Sequence, residues 1–482
     1  MKKAELVFIP APGVGHLVAK IEFAKRLIDQ DDRFSITVLI IKPPYPYAPS
    51  MVTYIQSLAA YKSHIKLIHL PEADPPPQEL FMRSVEKYAS DSIESYKTHV
   101  KEAIINHVLS TTSIPLAGLV VDMFCTSMID VAHQLGVPSY VFFTCNAAFL
   151  GFTFYLPTRH DQVGTEFIES GPELVIQSYV NPVPNSVLPL FAFNKEGGYL
   201  SFVDHGRKLR EAKGIIVNTF LELESHAVSS FLDDGIPPVY TVGPLINLKG
   251  QTHFGTNQDE HDKIMKWLDD QPISSVVFLC FGSGGSFSAP QLKEIALGLE
   301  RSGHRFLWSV RCASPDDKFA RPIDCVNLNL QEMLPQGFLD RTREIGMICG
   351  WAPQVEILAH QSIGGFVSHC GWNSILESLW HGVPVVTWPL YAEQQINAFE
   401  MVRDLGLAVE MKLDSRRGGE VVMAEEIMKA VKCVIEGDNE VRKRVKDMSE
   451  KSRKTMMHGG SSFASLGQLI EDMLGNIAPM EK

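Results

Sequence analysis

The run IGGFVSHCGWNSILES places His369, Gly371, Asn373, Ser374 and Glu377 close together in the chain. Its apolar part, 363–368, reads as a strand, and a helix is expected to begin near Asn373 with Ser374 in its first turn. Where a strand's carboxyl end meets a helix amino terminus, unbonded backbone N–H groups and the positive end of the helix dipole converge, which suits a diphosphate. His369, Asn373 and Ser374 are then placed to stabilise charge growing on a leaving phosphate. Glu377 lies about one helical turn beyond Asn373 and faces the same side. A carboxylate repels phosphate, so Glu377 is a candidate acceptor for ribose hydroxyls. Trp351 and Trp372 offer flat apolar faces for a base or a sugar. Ser283, in the turn FGSGG after another apolar strand, can add hydrogen bonds from the opposite side.

A proton acceptor is needed for any transfer to a hydroxyl, and His16 is a candidate. It follows the strand 4–9 in PAPGVGHL, where Gly13 and Gly15 allow a tight turn and close approach of a ligand. An imidazole titrates near neutral pH and can remove a hydroxyl proton; the plainer reading is a helix-start histidine. Asp122 follows the strand 116–121 and emerges at the same carboxyl edge as His16. Its carboxylate can accept the imidazole N–H, fix the tautomer and stabilise the imidazolium. Alone, it reads equally as a cap for the helix that starts near residue 126.

The stretch from Trp351 to Gln394 resembles the plant secondary-product signature of the family 1 UDP-glycosyltransferases. Trp351, Gln354, His369, Gly371, Trp372, Asn373, Ser374, Glu377, Pro384, Glu393 and Gln394 carry the resemblance, and PEADPPPQEL and HLVAKIEFAKRL extend it towards the amino terminus. The fold it implies is α/β, two Rossmann-like doubly wound domains facing across a cleft (GT-B type), with a last helix crossing back onto the first domain. The activity it implies is inverting transfer from UDP-glucose, a co-substrate rather than a cofactor, to a hydroxyl of a flavonoid, phenolic or terpenoid. His16 and Asp122 are the implied catalytic pair. The implied donor contacts are Thr144, Ser283, Trp351, Ala352, Gln354, His369, Trp372, Asn373, Ser374, Glu377, Glu393 and Gln394. Glutamine at the last motif position goes with glucose in the family; Glu393 departs from the commoner aspartate but keeps its chemistry. The acceptor side is expected to involve His16, Phe149, Phe191 and Ala392. Phe149, Phe152, Phe154, Phe191 and Phe193 fit an apolar lining for a flat aglycone, and fit ordinary core packing as well. No Asp-x-Asp occurs in the signature, so no metal is expected.

These groups need a scaffold, and 482 residues are too many for one ordinary core, so two domains are expected. Short apolar runs alternating with helical patterns in both halves predict two parallel sheets covered on both faces. The expected division is a first domain over 1–247, a polar linker over 248–261 and a second domain over 262–457. The helix 461–474 is expected to pack back onto the first domain. A net charge of −12 disfavours nucleic-acid and anionic-membrane surfaces. No apolar run reaches the roughly 18 residues of a membrane span, and no signal peptide is apparent. The eight cysteines form no CxxC pair and read as buried thiols of a cytoplasmic protein, expected to be monomeric.

Two other enzyme classes fit poorly. In Gly13-x-Gly15-x-x-Val18 the third small residue of a dinucleotide fingerprint is missing, and the second strand ends in Lys42 where an acidic ribose ligand belongs, against an NAD-dependent oxidoreductase. No G-x-S-x-G elbow supports a serine hydrolase. A nucleotide-sugar-binding protein without turnover is the non-enzymatic alternative, against which His16 and Asp122 together speak.

Overall fold

A computed structural model describes residues 3–42, 64–111, 113–232, 235–248, 258–312, 323–324, 330–414, 420–436 and 440–477. The chain divides into two compact units. The first comprises Met1–Asn185, Leu190–Asn247 and Arg453–Lys482; the second comprises Ser186–Pro189 and Leu248–Ser452.

The first unit is built on seven strands: β1 (Ala4–Ile9), β2 (Phe34–Ile40), β3 (Ile65–His69), β4 (Leu116–Asp122), β5 (Ser139–Phe143), β6 (Gly214–Val217) and β7 (Val239–Thr241). They pair in parallel in the order β3-β2-β1-β4-β5-β6-β7. β1 and β5 are buried throughout, as expected of strands covered on both faces. Phe8 and Phe142 both stack on Phe23 of the helix Val14–Gln30, which fastens that helix to the sheet. Strand order reverses between β1 and β4, and such a switch point leaves a crevice at the strands' carboxyl ends.

The last helix, Ser461–Leu474, belongs to this first unit. Ser462 donates to the Gly243 carbonyl at 2.6 Å, Tyr240 bonds Asp472, and Asn476 donates to the Ala117 carbonyl and to the Tyr140 hydroxyl, each at 2.9 Å.

The second unit repeats the plan with β8 (Val276–Cys280), β9 (Arg305–Ser309), β12 (Gly346–Cys349), β13 (Ile363–Ser368), β14 (Val385–Thr387) and β15 (Ala408–Glu410). All pair in parallel in the order β12-β9-β8-β13-β14-β15, so the reversal falls between β8 and β13. A separate antiparallel ribbon joins β10 (Arg311–Cys312) to β11 (Ile323–Asp324). On one face Trp308, Leu279 and Val367 pack with Ile295 of the helix Ala289–Ser302 and Val431 of the helix Ala424–Ile435, all at most 1% exposed.

Several expectations need correction. The helix Gln258–Asp269 begins inside the segment read as linker, because its residues continue an amphipathic pattern into the buried Ile264 and Leu268; residues 249–257 lie outside the described residues. The first unit takes the chain back at Arg453 rather than after 457. Between β3 and β4 the chain forms the helices Val85–Glu94 and Lys97–Ile104, the latter running into a π-helical turn at Ile105–Leu109. Cys312 is disulfide-bonded, so the expectation of eight thiols fails there. Cys125, Cys145, Cys280, Cys349 and Cys370 are free and buried, and Cys433 is free and exposed.

Candidate active site

At the switch point of the first unit, β1 leads through Pro10-Ala11-Pro12-Gly13 into the helix Val14–Gln30 and brings His16 into its first turn. β4 ends on Asp122 itself, one residue later than the sequence pattern marked. The two side chains meet: His16 Nδ1 lies 3.1 Å from Asp122 Oδ2, with His16 26% exposed and Asp122 fully buried. In the tautomer that donates Nδ1–H to Asp122, the ring's lone pair is on Nε2, the atom suited to take a proton. Burial raises the Asp122 carboxyl pKa, but His16, Lys20 and the Phe124 N–H outweigh it and hold the group below its ordinary value. Thr144 follows β5, and its hydroxyl lies 3.4 Å from His16 Nδ1 while donating to the Met123 sulfur. Within the first unit, therefore, Thr144 keeps company with the His16–Asp122 pair.

At the switch point of the second unit, two tight turns press together. After β8 the chain turns through Phe281-Gly282-Ser283-Gly284-Gly285; after β13 it turns through His369-Cys370-Gly371 into the helix Trp372–His381. The helix starts one residue earlier than expected, with Gly371 as its cap. Cys370 has φ +62, a left-handed conformation uncommon for a side-chain-bearing residue. Asn397 stabilises that turn by donating to the Cys370 carbonyl at 3.1 Å. His369 is 7% exposed, and burial lowers its pKa to about 4, the nearby Cys280 carbonyl working against this. Its imidazole is thus neutral near pH 7. His369 Nδ1 and Asn373 Oδ1 are buried without a hydrogen-bond partner among the described residues, at the helix amino terminus where an anion is favoured.

Gln354, the first residue of the helix Gln354–Ala359, joins this turn to Glu377. Its Nε2 donates to Ser374 Oγ at 2.8 Å and to Glu377 Oε2 at 2.6 Å. The Glu377 carboxyl is half-buried, and desolvation pushes it up to about 7. Trp351 follows β12, half-buried, with Ala352 buried beside it. Gln354, His369, Asn373, Ser374 and Glu377 thus come together as one polar rim on the second unit.

Residues 233–451 match the family model described as UDP-glucoronosyl and UDP-glucosyl transferase. A UDP-glycosyltransferase 71K2 of Pyrus communis is 54% identical over 484 residues, covering 98% of this chain and 99% of the relative. A UDP-glucose flavonoid 3-O-glucosyltransferase 6 of Fragaria ananassa is 49% identical over 488 residues, covering 98% and 99%. The crystal structure of Medicago truncatula UGT71G1 complexed with UDP-glucose superimposes with a TM-score of 0.89 at 48% identity, covering 98% of each chain.

The chain belongs to the plant family 1 UDP-glycosyltransferases.

It is accordingly a UDP-sugar-dependent glycosyltransferase, and its two doubly wound units are those of the GT-B fold. Among the described residues, no helix of the transferase is long and apolar enough to cross a membrane.

The remaining residues expected at the transferase's site differ in burial. Trp372 is 3% exposed, its ring enclosed by the fold as the helix enters the core, so Trp351 is the tryptophan with a face to offer. Gln394 is 3% exposed, and its Oε1 accepts the backbone N–H groups of Leu390 at 2.9 Å and Tyr391 at 3.0 Å. That oxygen shapes its own loop, in which Ala392 adopts φ +55. Glu393 precedes the helix Gln394–Phe399 and accepts from Asn397 at 3.4 Å. Ser283 is exposed in the glycine turn, its carbonyl accepting from Arg311 at 3.0 Å.

The aromatic residues expected to line an acceptor pocket are largely packed on one another. Phe149 is 2% and Phe191 4% exposed; Phe191 stacks on Phe202 with centroids 3.6 Å apart, and Phe149 meets Phe191 edge-on. Large rings that satisfy one another's faces are core, which was the alternative reading. Phe193 is half-buried.

Sequence reasoning missed three groups. Phe124 is half-buried with its ring 5.2 Å from that of His16, beside the candidate base. Tyr391 lies near His369, with ring centroids 6.4 Å apart. Lys20 is buried beneath the His16–Asp122 pair. The only sequence signal for Lys20 was its place on the inward face of the first helix, one turn after His16.

Proposed function

We propose that the enzyme transfers glucose from UDP-glucose to a hydroxyl of a small lipophilic plant metabolite of the flavonoid, phenolic or terpenoid class, giving a β-O-glucoside by inversion. The observation that carries this reading is the His16–Asp122 pair at the switch point of the first unit. In this reaction His16 takes the acceptor proton at Nε2 as the oxygen attacks the anomeric carbon from the side opposite the departing UDP. One displacement inverts an α-linked donor. Asp122 holds the imidazole and stabilises its charged form, and general-base help of this kind contributes about 10²–10⁴-fold.

The departing diphosphate is stabilised by the amino terminus of the helix Trp372–His381 and by His369, whose imidazole a neighbouring anion will favour in its charged form. Glu377, tied to Gln354 and Ser374, accepts from the ribose, and Trp351 stacks on the base. Glucose is favoured as donor by Gln394 and by the name of the Fragaria relative. With that charge stabilisation in place, the reaction is expected to need no divalent metal.

The test is a mass-spectrometric screen of phenolic, flavonoid and terpenoid acceptors with UDP-glucose, with the anomeric configuration of each product read by NMR and the rate repeated with chelator. Expected are β-glucosides, an unchanged rate with chelator, and near-complete loss of transfer in His16→Ala with UDP affinity intact. Comparable turnover by His16→Ala removes His16 as base. An α-glucoside overturns inversion, and donor binding without transfer to any acceptor favours a binding protein.

A further inference from the structure

Lys20 lies four residues after His16, one turn along the same face of the helix Val14–Gln30, and is 0% exposed. An ammonium is seldom enclosed this way unless it is paired. Its Nζ donates to the carbonyl of Ile9, the last residue of β1, at 3.2 Å; it stands 3.8 Å from Asp122 Oδ2 and 5.6 Å from the centre of the Phe142 ring on β5. The oxygen it approaches is the one that accepts from His16 Nδ1, whereas Asp122 Oδ1 accepts the Phe124 N–H at 3.1 Å. One carboxylate oxygen is therefore shared between the candidate base and a buried cation.

We propose that Lys20 is a positioning residue of the His16–Asp122 pair: it anchors the Asp122 carboxylate from inside the sheet and, through the shared oxygen, sets the basicity of His16. The inference rests on the reading of His16 as the base.

Asp122 favours the imidazolium form of His16, and a second cation on the same carboxylate opposes it. With Lys20 charged, His16 stays an unprotonated base to lower pH than with Asp122 alone. The other titratable groups facing this cluster do not offset that effect. The Cys125 thiol is pushed up by burial and stays neutral. His205, on the helix Gly198–Leu209, is lowered by burial to about 4; its ring bonds Thr126 Oγ1 at 2.7 Å and Ser90 Oγ at 3.3 Å. The Thr144 hydroxyl beside His16 carries no charge. Burial brings Lys20 itself down to about 8 against the pull of Asp122, so it is charged at neutral pH and loses its proton in the mildly alkaline range.

The experiment compares kcat/KM over about pH 5 to pH 9, spanning the imidazole titration, for the wild type and for Lys20→Gln, Lys20→Met and Lys20→Arg, with an acceptor that does not ionise there. In both neutral variants the acid limb is expected to move up by about half a pH unit or more. Lys20→Arg, which keeps the charge, should return it towards the wild type. Substitutions that merely loosened the fold would scale the rate equally at every pH; coincident acid limbs overturn the proposal. A measurement on the unsubstituted protein guards against variants that fail to fold. The His16 ring resonance, followed by NMR, should show a second, smaller inflection in the alkaline range as Lys20 deprotonates, and a flat response there also overturns the proposal. Turnover retained by His16→Ala would remove the base reading, whereas unmoved acid limbs in an enzyme that needs His16 would remove the role of Lys20 alone.

Discussion

A Cβ placed on Gly282 would stand 2.6 Å from Nε2 of His369. The two residues belong to the turns after β8 and β13, at the reversal of the second sheet, and Gly282 has φ +70. The glycine is thus required twice: by a backbone conformation that side chains disfavour and by an imidazole that occupies the space.

Gly282→Ala should therefore displace His369 and weaken UDP binding by at least about tenfold, with a stability loss of about 1–3 kcal/mol from the backbone strain. Calorimetric titration with UDP and a melting curve check both parts. Unchanged UDP affinity would show that His369 does not depend on this packing.

His369 should couple donor binding to proton uptake. Its folded pKa of about 4 lies below the ordinary 6.5. Its contribution to stability is therefore whole above about pH 6.5 and is lost as pH falls towards 4. A bound diphosphate favours the imidazolium, so UDP binding near pH 5.5 should take up protons. Titration heats in buffers of different ionisation enthalpy should reveal this uptake and its loss in His369→Gln. Equal uptake in wild type and variant would place the proton elsewhere.

Glu377 carries the opposite sign. Its folded pKa is raised to about 7 from 4.5. The stability this represents is whole below about pH 4.5 and lost as pH rises through 7. Glu377→Gln should therefore stabilise the unliganded enzyme by about 1–2 kcal/mol at pH 8, a figure reduced for partial exposure, and by much less at pH 5. The same change should raise the donor KM and leave the acceptor KM nearly untouched. A donor KM equal to that of the wild type would contradict the ribose role.

The two tryptophans should separate binding from folding. Trp351→Ala is expected to weaken UDP affinity about tenfold, the worth of one good stacking contact, with little change in melting temperature. Trp372→Ala should cost about 3–5 kcal/mol of stability, as emptying a core position does. Reversed outcomes would return the stacking role to Trp372.

Much of this architecture was legible because short apolar runs ending in glycine or polar turns mark parallel strands. β1, β4, β8 and β13 were all readable that way, and with them the positions of His16, Asp122, Ser283 and His369. The edge strands β7 and β15 escaped because three residues show no period. The relation of Gln354 to Glu377 depends on two helices meeting, which no local pattern encodes. The burial of Trp372 and Phe191 was not legible for a related reason: an aromatic ring beside a binding motif serves a ligand or the interior equally well until its neighbours are known. The burial of Lys20 was hidden because lysine on a helix is ordinarily taken to face solvent.

The helix Ser461–Leu474 follows the whole second unit along the chain, yet it completes the unit that holds β1. The amino-terminal sheet must wait, with Tyr240 and Tyr140 lacking Asp472 and Asn476 as partners, while the entire second unit is synthesised. Premature termination near the carboxyl end would thus harm the half that carries His16, far away in sequence from the missing residues.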